Sequence, residues 1–441
     1  PMSLQSRIAA RRQARPQRKH TVPPRRKPVK PTAQVLPARP GDIAETTIER
    51  IVPGGLGLGY GGGRTLFVAK AAPGDVLRVK LERDQGRVAH ASIVEVVSPG
   101  PDRIVPPFPR LAECGADFQH LTYEAQLAAK QAMIADCMRR IAGLDLLAPV
   151  PIVPSPEQWH YRTRAEWRHE PKVEVLGYVR HGSHQVVDLP ADPFVLPQLD
   201  EVYLGLRQRL QNGELPAWAT EIRGAAGDDG VSLAPPLDGQ PPAPVSLDVA
   251  GEHYAFDADC FFQVNPGVLD VLVAEALKYA PPPGGVSSPA NRKAIDLYCG
   301  VGLFTLPLAR RFELVIGVEG QPRAAEFAAR NAAAAGLDNV RVETGSVERW
   351  LEGGYRTHGR TPFVLLDPPR TGVPGPAMRG LLRLRPQRIA YVSCDPATLA
   401  RDVKKLLGAG YELIDLVAID MFPQTHHVET VAHLERVDGE A

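Results

Sequence analysis

Cysteine is scarce in this chain. Its 441 residues include five, at positions 114, 137, 260, 299 and 394, scattered and with no C-x-x-C pair. That pattern excludes a disulfide framework and a zinc ribbon, and it fits a reducing compartment. Long apolar runs are missing too. Nothing approaches the ~20 residues a spanning helix needs and no signal-peptide core follows the start, so no membrane contact is expected. Acidic residues are absent from residues 1 to 40, which hold eleven Lys or Arg, repeated prolines and almost no apolar periodicity. This tail is expected to be disordered, and its charge suits either an electrostatic arm for RNA or a solubilising extension. Prolines at 16, 23, 24, 28 and 31 break the amphipathic helix of a mitochondrial presequence, which points to a bacterial-type cytoplasmic protein.

What is present divides the rest of the chain. Residues 41–99 read as short strands separated by Gly, Pro-Gly-Asp and Asp-Gln-Gly turns, the pattern of a small antiparallel OB-like barrel. Such barrels bind oligonucleotides through exposed basic and aromatic residues. The stretch "PGGLGLGYGGG" inside it is no phosphate loop, since no Gly-Lys-Ser/Thr follows; a mobile loop is an equal alternative to a binding role. Residues 100–120 form a proline-rich connector, and 121–149 centre on an amphipathic helix ended by Gly143, with Cys137 read as core. Residues 150–257 form a central α+β unit rich in Arg and His. There Tyr161, Thr163, Ala165 and Trp167 alternate with Arg162, Arg164, Glu166 and Arg168, which predicts a strand with one basic face, gripping phosphates or merely solvated. From 258 to 441 strand and helix alternate, the mark of an α/β, doubly wound, Rossmann-like sheet. Ligands of such sheets bind at the carboxyl ends of the strands.

Four of those strand ends carry chemistry. In "DLYCGVGLFT", Gly300 and Gly302 let the backbone turn tightly toward a ligand. Glu319 ends the next strand, placed to accept hydrogen bonds from ribose hydroxyls. A dinucleotide or S-adenosylmethionine fits this much, but Thr305 stands where a dinucleotide fingerprint has Gly or Ala. "LLDPPR" ends a strand with Asp367, and its two prolines make a rigid loop lacking N–H groups. In "IAYVSCDPATLARDV" a buried strand runs into a helix capped by Asp395, with Pro396 at the first helical position. Cys394 sits at the junction, where the positive end of the helix is expected to lower its thiol pKa. A small apolar residue filling the sheet top is the alternative.

Taken in order, "FFQVN" (261–265), "DLYCGVGLFTLPL", "GVE", "LLDPPRTGV", "YVSCDPATLARD" and "FPQTHHVETVAHLER" resemble the RNA uridine-5-methyltransferase family, which forms 5-methyluridine in ribosomal and transfer RNA. The barrel resembles the TRAM module of that family, so the likeness covers nearly everything after the tail. The resemblance implies that Cys394 is the nucleophile and Glu429 the base. It also implies a S-adenosylmethionine pocket containing Gln263, Tyr298, Glu319 and Asp367 with the Gly300 and Gly302 turn, and it makes Arg162 a candidate for holding the target base. Cys299, inside the cofactor turn, is the rival nucleophile and reads as structural; His426 and His427 are rivals for the base or for phosphate contact. Ribosomal members commonly bind an iron–sulfur cluster through four cysteines, whose places here hold Phe108, Cys114, Asp117 and Asp192. One thiolate cannot hold a cluster that needs four soft ligands, so neither a cluster nor another metal site is expected. Asp117 and Asp192, or packing around Phe108, then have to hold that loop. Leu303 replaces a polar residue usual in the cofactor loop. The expected partner is RNA, ribosomal in the first instance with transfer RNA as the alternative, and the expected state is a cytoplasmic monomer. Cytosine-5 methylation is a chemical rival, although those enzymes usually carry Pro-Cys where this chain has Pro368 and Pro369. A noncatalytic RNA-binding or assembly factor is the rival from another class.

Overall fold

The computed structural model describes residues 40–84, 86–237, 242–284, 292–353 and 361–437. The basic tail expected at 1–40 lies outside them except for Pro40. Five strands, β1 (Ile43–Val52), β2 (Leu56–Gly61), β3 (Arg64–Val68), β4 (Val76–Asp84) and β5 (Val88–Ser98), close into a barrel in the order β1-β2-β3-β5-β4. Alternating positions of these strands fill its interior, with Ile48, Leu66, Val68, Leu77, Val79 and Leu81 buried together. The glycine stretch is largely strand rather than mobile loop. Its glycines answer a packing need, since a Cβ on Gly59 would stand 2.3 Å from Thr46 Oγ1 and 2.7 Å from the Thr47 carbonyl oxygen.

The helix Tyr123–Cys137 follows the connector, widens into a π-type turn at Met138–Ala142 and ends at Gly143 in the left-handed region, φ 75°. It packs between the barrel and the largest sheet. One of its residues, Lys130, is fully buried and donates to Asp420 Oδ1 at 2.5 Å and to the Phe422 carbonyl at 3.0 Å. Tyr123 donates to the other oxygen of Asp420 at 2.8 Å. Removing one member of such a pair leaves an uncompensated buried charge, so Lys130→Met is expected to cost about 3–5 kcal/mol of unfolding free energy. Adding Asp420→Asn should recover more than half of that loss in denaturant melts.

Next, β6 (Ile152–Val153) joins the edge of the largest sheet, so the central unit starts after it. Strands β7 (Arg164–Glu170), β8 (Val175–Val179), β9 (Val186–Asp188), β10 (Glu221–Gly227) and β11 (Gly230–Ala234) form a sheet in the order β11-β10-β7-β8-β9. The helix Pro197–Gln211 packs on it through Leu199, Tyr203 and Leu206. Alternation along β7 is as expected, with Trp167 fully buried. The basic face is not a free one. Arg168 pairs with Glu166 at 2.7 Å and Glu221 at 2.6 Å, the Arg164 guanidinium lies 5.9 Å from the Phe261 ring, and that of Arg162 lies 4.1 Å from the Phe194 ring. Neighbouring elements cover the positions that alternation alone assigns to solvent.

The hairpin of β12 (Val245–Val249) and β13 (Glu252–Phe256) shares one core with Ala225 and Ala234 of the central sheet and with the α/β domain. The large sheet has eight strands: β14 (Ala294–Leu297), β15 (Val315–Glu319), β16 (Val340–Thr344), β17 (Phe363–Leu366), β18 (Arg388–Ser393), β19 (Tyr411–Ile419), β20 (Glu429–Arg436) and β6. Their order is β16-β15-β14-β17-β18-β20-β19-β6, with β20 antiparallel to both of its neighbours. Strands β14 and β17 are buried at every position, as in a parallel sheet covered on both faces, and β14 includes the buried Asp296. The strand order reverses direction at β14, where β15 lies on one side and β17 on the other. A crevice therefore opens beyond their carboxyl ends. No helix among the described residues is long and apolar enough to cross a membrane.

Candidate active site

The register of β18 against β20 sets the site. Ser393, the last residue of β18, stands opposite Thr430, whose hydroxyl donates to the Ser393 carbonyl at 2.8 Å. One step further along β18 and one step back along β20 are Cys394 and Glu429. Continuing the register one step past its last pair sets them against each other, and both line the same cavity. The parallel register Leu366↔Tyr391 brings Asp367 to the same edge. All three line one cavity of about 630 Å³. Gln263 completes this end, its amide donating to Asp367 Oδ2 at 3.0 Å.

The other end of the cavity is built by the β14 turn and the end of β15. Tyr298 and Gly300 both take left-handed backbone, at φ 64° and 55°, which swings the turn under the cavity. Glu319 holds it there: one carboxylate oxygen accepts from the Gly300 N–H at 2.9 Å and the other from the Gln321 N–H at 2.7 Å. An ionised carboxylate has about four acceptor positions, so two remain for a ligand. The Tyr298 hydroxyl is buried with no hydrogen-bond partner, and Tyr298, Gly300 and Glu319 all line the cavity. Gly302 is not part of the lining; it supports the turn from below, where an added Cβ would stand 3.0 Å from Leu306 Cδ1. Leu303 packs in the core while its carbonyl accepts from the Tyr254 hydroxyl at 2.9 Å. Cys299 lines the cavity yet is almost fully buried, and its thiol is pushed well up by burial and by Asp296.

Three acidic groups share the reactive end. Burial, followed by the nearby Asp367, drives the Glu429 carboxyl well above the usual range, with the Arg370 guanidinium opposing. Asp367 is likewise raised by burial, against the hydrogen bond from Gln263. Burial and then Glu429 push the Cys394 thiol up to about 12, with Arg370 pulling the other way. This reverses the lowering expected from the helix start. Asp395 caps that helix by accepting from the Thr398 N–H at 2.8 Å, so the positive end is spent on a carboxylate before it reaches the sulfur. Cys394 is therefore a neutral thiol in the free protein.

Arg162 does not line the cavity. Its Nε donates to the Tyr161 hydroxyl at 3.2 Å, and its charge reaches the site only as one of several influences on His427. Burial, His426, Arg370 and Arg162 together push that imidazole down to about 2, which keeps His427 neutral and makes it a poor base. His426 is occupied elsewhere: its Nδ1 lies 2.5 Å from Asp117 Oδ2, and its backbone N–H donates to Asp117 Oδ1 at 2.9 Å.

Asp117 belongs to the connector, where the four places of the cluster cysteines are held by other means. Asp192 accepts from Trp167 Nε1 at 2.8 Å and the Tyr178 hydroxyl at 2.5 Å. Phe108 packs edge-on against Trp159 at 4.7 Å, while its backbone N–H and carbonyl both bond to the Gln119 amide at 2.9 Å. Cys114 is a free thiol. Asp117 and Phe108 thus fix this loop, whereas the hydrogen bonds of Asp192 stay within the central unit. Among the described residues no group of three or more His, Cys, Asp or Glu side chains is placed to hold a metal ion.

Several lining residues were not singled out from the sequence. Arg370, directly after the two prolines, is the cation nearest the acidic trio, and Phe261 leaves its ring 59% exposed at the cavity mouth while Phe262 is buried. Asp402 anchors the loop that bears Arg370: it accepts from the Val373 N–H at 2.8 Å and the Tyr391 hydroxyl at 3.0 Å, and pairs with Arg401 and Lys405 at 2.9 Å. Nothing local signals Phe261, since 261–265 form neither strand nor helix. Nothing local signals Asp402, whose partners lie on the adjoining loop and strand as well as on its own helix.

Together the fold and cavity define an α/β enzyme of the methyltransferase type, with a cysteine and a carboxylate opposed at the ligand end of its sheet. The family model for tRNA (Uracil-5-)-methyltransferase matches residues 245–437. The 23S rRNA (uracil(1939)-C(5))-methyltransferase RlmD of Pectobacterium atrosepticum is 33% identical, over 90% of this chain and 94% of its own. RlmD of Alkalilimnicola ehrlichii is 34% identical, over 91% and 98%. The crystal structure of Pyrococcus abyssi tRNA (uracil-54, C5)-methyltransferase in complex with S-adenosyl-L-homocysteine has a TM-score of 0.67 at 24% identity, covering 88% of this chain and all of that one, a likeness of fold. The chain belongs to the RNA uracil-5-methyltransferase family.

Proposed function

We propose that the protein methylates carbon 5 of one uridine in 23S ribosomal RNA, in the cytoplasm, without an iron–sulfur cluster. The observation that carries this reading is the opposition of Cys394 and Glu429 at one cavity wall, beside Asp367. S-adenosylmethionine, when bound, supplies the electrophilic methyl group. The cavity suits that donor: Glu319 retains acceptor capacity for ribose hydroxyls, Tyr298 offers an unpartnered buried hydroxyl, and Val301, Phe304 and Ala324 give apolar walls. Gln263 and Asp367 form the boundary between the donor end and the reactive end.

Carbon 5 of uracil is a weak nucleophile, so the ring has to be activated first. Cys394 Sγ gives its proton to ionised Asp367, which leaves Glu429 for the later step, and bonds to carbon 6. The 5,6 double-bond electrons move onto the carbon 4 oxygen as an enolate, and carbon 5 becomes nucleophilic. Once carbon 5 carries the methyl group, ionised Glu429 withdraws the carbon 5 proton. The electron pair left behind re-forms the double bond and expels Sγ. Glu429 suits this step because burial has made its carboxylate a stronger base than one in water. The target uridine must be unpaired or flipped out to reach the thiol. The test is nucleoside mass spectrometry of ribosomal RNA from a strain lacking the gene, with mapping of the site after incubation of that RNA with purified protein. Loss of one 5-methyluridine and its restoration in vitro are expected; unchanged 5-methyluridine content in 23S RNA would sink the proposal.

A further inference from the structure

The hairpin of β12 and β13 backs the donor end of the reactive cavity without lining it. The wall there is the turn after β14, where Val301 and Leu303 face the space. Two carbonyls of this turn are held from behind. That of Leu303 accepts from the Tyr254 hydroxyl at 2.9 Å, and that of Val301 accepts from Asn331 Nδ2 at 3.0 Å. Asn331 also clasps Ala255, the residue after Tyr254: its Nδ2 donates to the Ala255 carbonyl and its Oδ1 accepts from the Ala255 N–H, both at 3.0 Å. Neither Tyr254 nor Asn331 lines the cavity, so both act on it only through the turn.

Asn331 is out of character for its place. It belongs to the helix Pro322–Ala334, whose other buried residues are Ala324, Ala325, Phe327, Ala328 and Ala332, and it is 3% exposed. Asparagine is a poorer helix former than the alanines around it, and an amide buried among apolar neighbours is costly unless it is bonded. Here both amide hydrogens and the oxygen are used. Only one orientation serves, because a flipped amide would set its oxygen against two carbonyls. The turn it grips has little stiffness of its own: Gly300 and Gly302 both take left-handed backbone, at φ 55° and 101°, and glycine leaves that region as readily as it enters.

Resting on the reading of this cavity as a S-adenosylmethionine pocket, we infer that Asn331 is a positioning residue for the donor: with Tyr254 it braces the Val301 and Leu303 carbonyls on the hairpin, so that the glycine turn holds its binding form before the donor arrives. A turn ordered in advance removes an entropy cost from binding, and without the brace donor binding has to order it. The reacting groups Cys394 and Glu429 lie at the opposite end of the cavity. The effect therefore falls on donor affinity and not on the chemical step.

The experiment titrates S-adenosylhomocysteine into the full chain by calorimetry and then measures methylation of RNA carrying the mapped uridine. Asn331→Ala is expected to bind S-adenosylhomocysteine about tenfold more weakly, the size that follows from leaving one buried carbonyl without its donor. KM for S-adenosylmethionine should rise by a like factor, while kcat at saturating donor stays within about threefold of wild type. Asn331→Asp keeps the acceptor for the Ala255 N–H but loses both donors, and should not rescue binding. Tyr254→Phe removes a single bond at nearly unchanged volume and should weaken binding about threefold; it carries the test should Asn331→Ala fail to fold. Leu77→Ala, in the barrel core, lowers stability far from the turn and should keep the wild-type affinity for S-adenosylhomocysteine. Wild-type affinity in the folded Asn331 and Tyr254 variants, an equal loss in Leu77→Ala, or a fall in kcat at unchanged KM would overturn the inference. A chain that binds S-adenosylhomocysteine but methylates no RNA would remove the uridine reading and leave this inference standing; a wild-type chain that binds none would remove this one.

Discussion

Cys394→Ala is expected to lower methylation of the substrate RNA by 10⁴-fold or more, on the order of what removal of a covalent nucleophile costs other enzymes. The size follows from the chemistry. Without a bond to carbon 6 there is no enolate, and an aromatic uracil barely attacks a sulfonium methyl. No nearby group can take over. Cys299 is the other thiol lining the cavity, but it is 4% exposed and packs against the strand below, where an added Cβ at Gly317 would lie 3.0 Å from its sulfur. RNA containing 5-fluorouridine at the target separates the two cysteines. Wild-type protein and Cys299→Ala should form a covalent adduct stable in denaturing gels, since fluorine at carbon 5 cannot leave as a proton; Cys394→Ala should form none. Adduct formation should quicken as pH rises through the neutral and alkaline range, because a thiol pushed up to about 12 is mostly protonated at neutrality. Methylation retained by Cys394→Ala would refute the covalent mechanism.

How far the site could be read from the sequence depends on whether each signal is local or emergent. Strand ends followed by polar residues are local, and they located Cys394, Asp367, Glu319 and the Tyr298 turn, all of which line the one cavity. Glu429 had to come from the family likeness. It begins an apolar strand, and only the antiparallel register that puts Ser393 opposite Thr430 makes it the neighbour of Cys394. Arg162 and the basic face of β7 show the opposite failure. Period-2 alternation says which residues leave the strand on the same side, but not that Phe194, Glu221 and Phe261 come to lie over them.

Electrostatics were the least legible. A thiol at a helix start is lowered in isolation, yet here burial and a neighbouring carboxylate outweigh a helix end already occupied by Asp395. The connector shows a similar limit. Phe108, Asp117 and Asp192 could be recognised as replacements for metal ligands, but what replaced the metal was not visible: Asp117 reaches more than 300 residues along the chain to His426. That bond ties the connector to the loop before Glu429, alongside Gln126, which accepts from the Gln424 N–H at 2.9 Å, and the buried Lys130–Asp420 pair. The loop leading to Glu429, the proposed base, is thus tied to the connector and the first helix, outside the α/β domain.

Glu429→Gln is expected to reduce turnover by about 10²–10⁴-fold, the range over which a positioned general base acts. Its signature should differ from that of Cys394→Ala. The glutamine leaves Sγ free to add and carbon 5 free to accept the methyl group, but it cannot withdraw the carbon 5 proton. A methylated RNA–protein adduct should therefore accumulate with natural uridine, and about one S-adenosylhomocysteine per chain should form in a first burst. In the wild-type protein, turnover should climb as pH rises through the folded pKa of Glu429, because burial and Asp367 hold that carboxyl protonated below it. The same shift has a cost for stability. A carboxyl whose folded pKa is raised above its unfolded value contributes stability that is complete below the unfolded value and is lost as pH rises through the folded one. Glu429→Gln should remove that loss on raising the pH in melts of the free protein while lowering turnover, so the residue that makes the site less stable as pH rises is the one that makes it turn over. Turnover within about tenfold of wild type, with no trapped adduct, would move the role of base to another group.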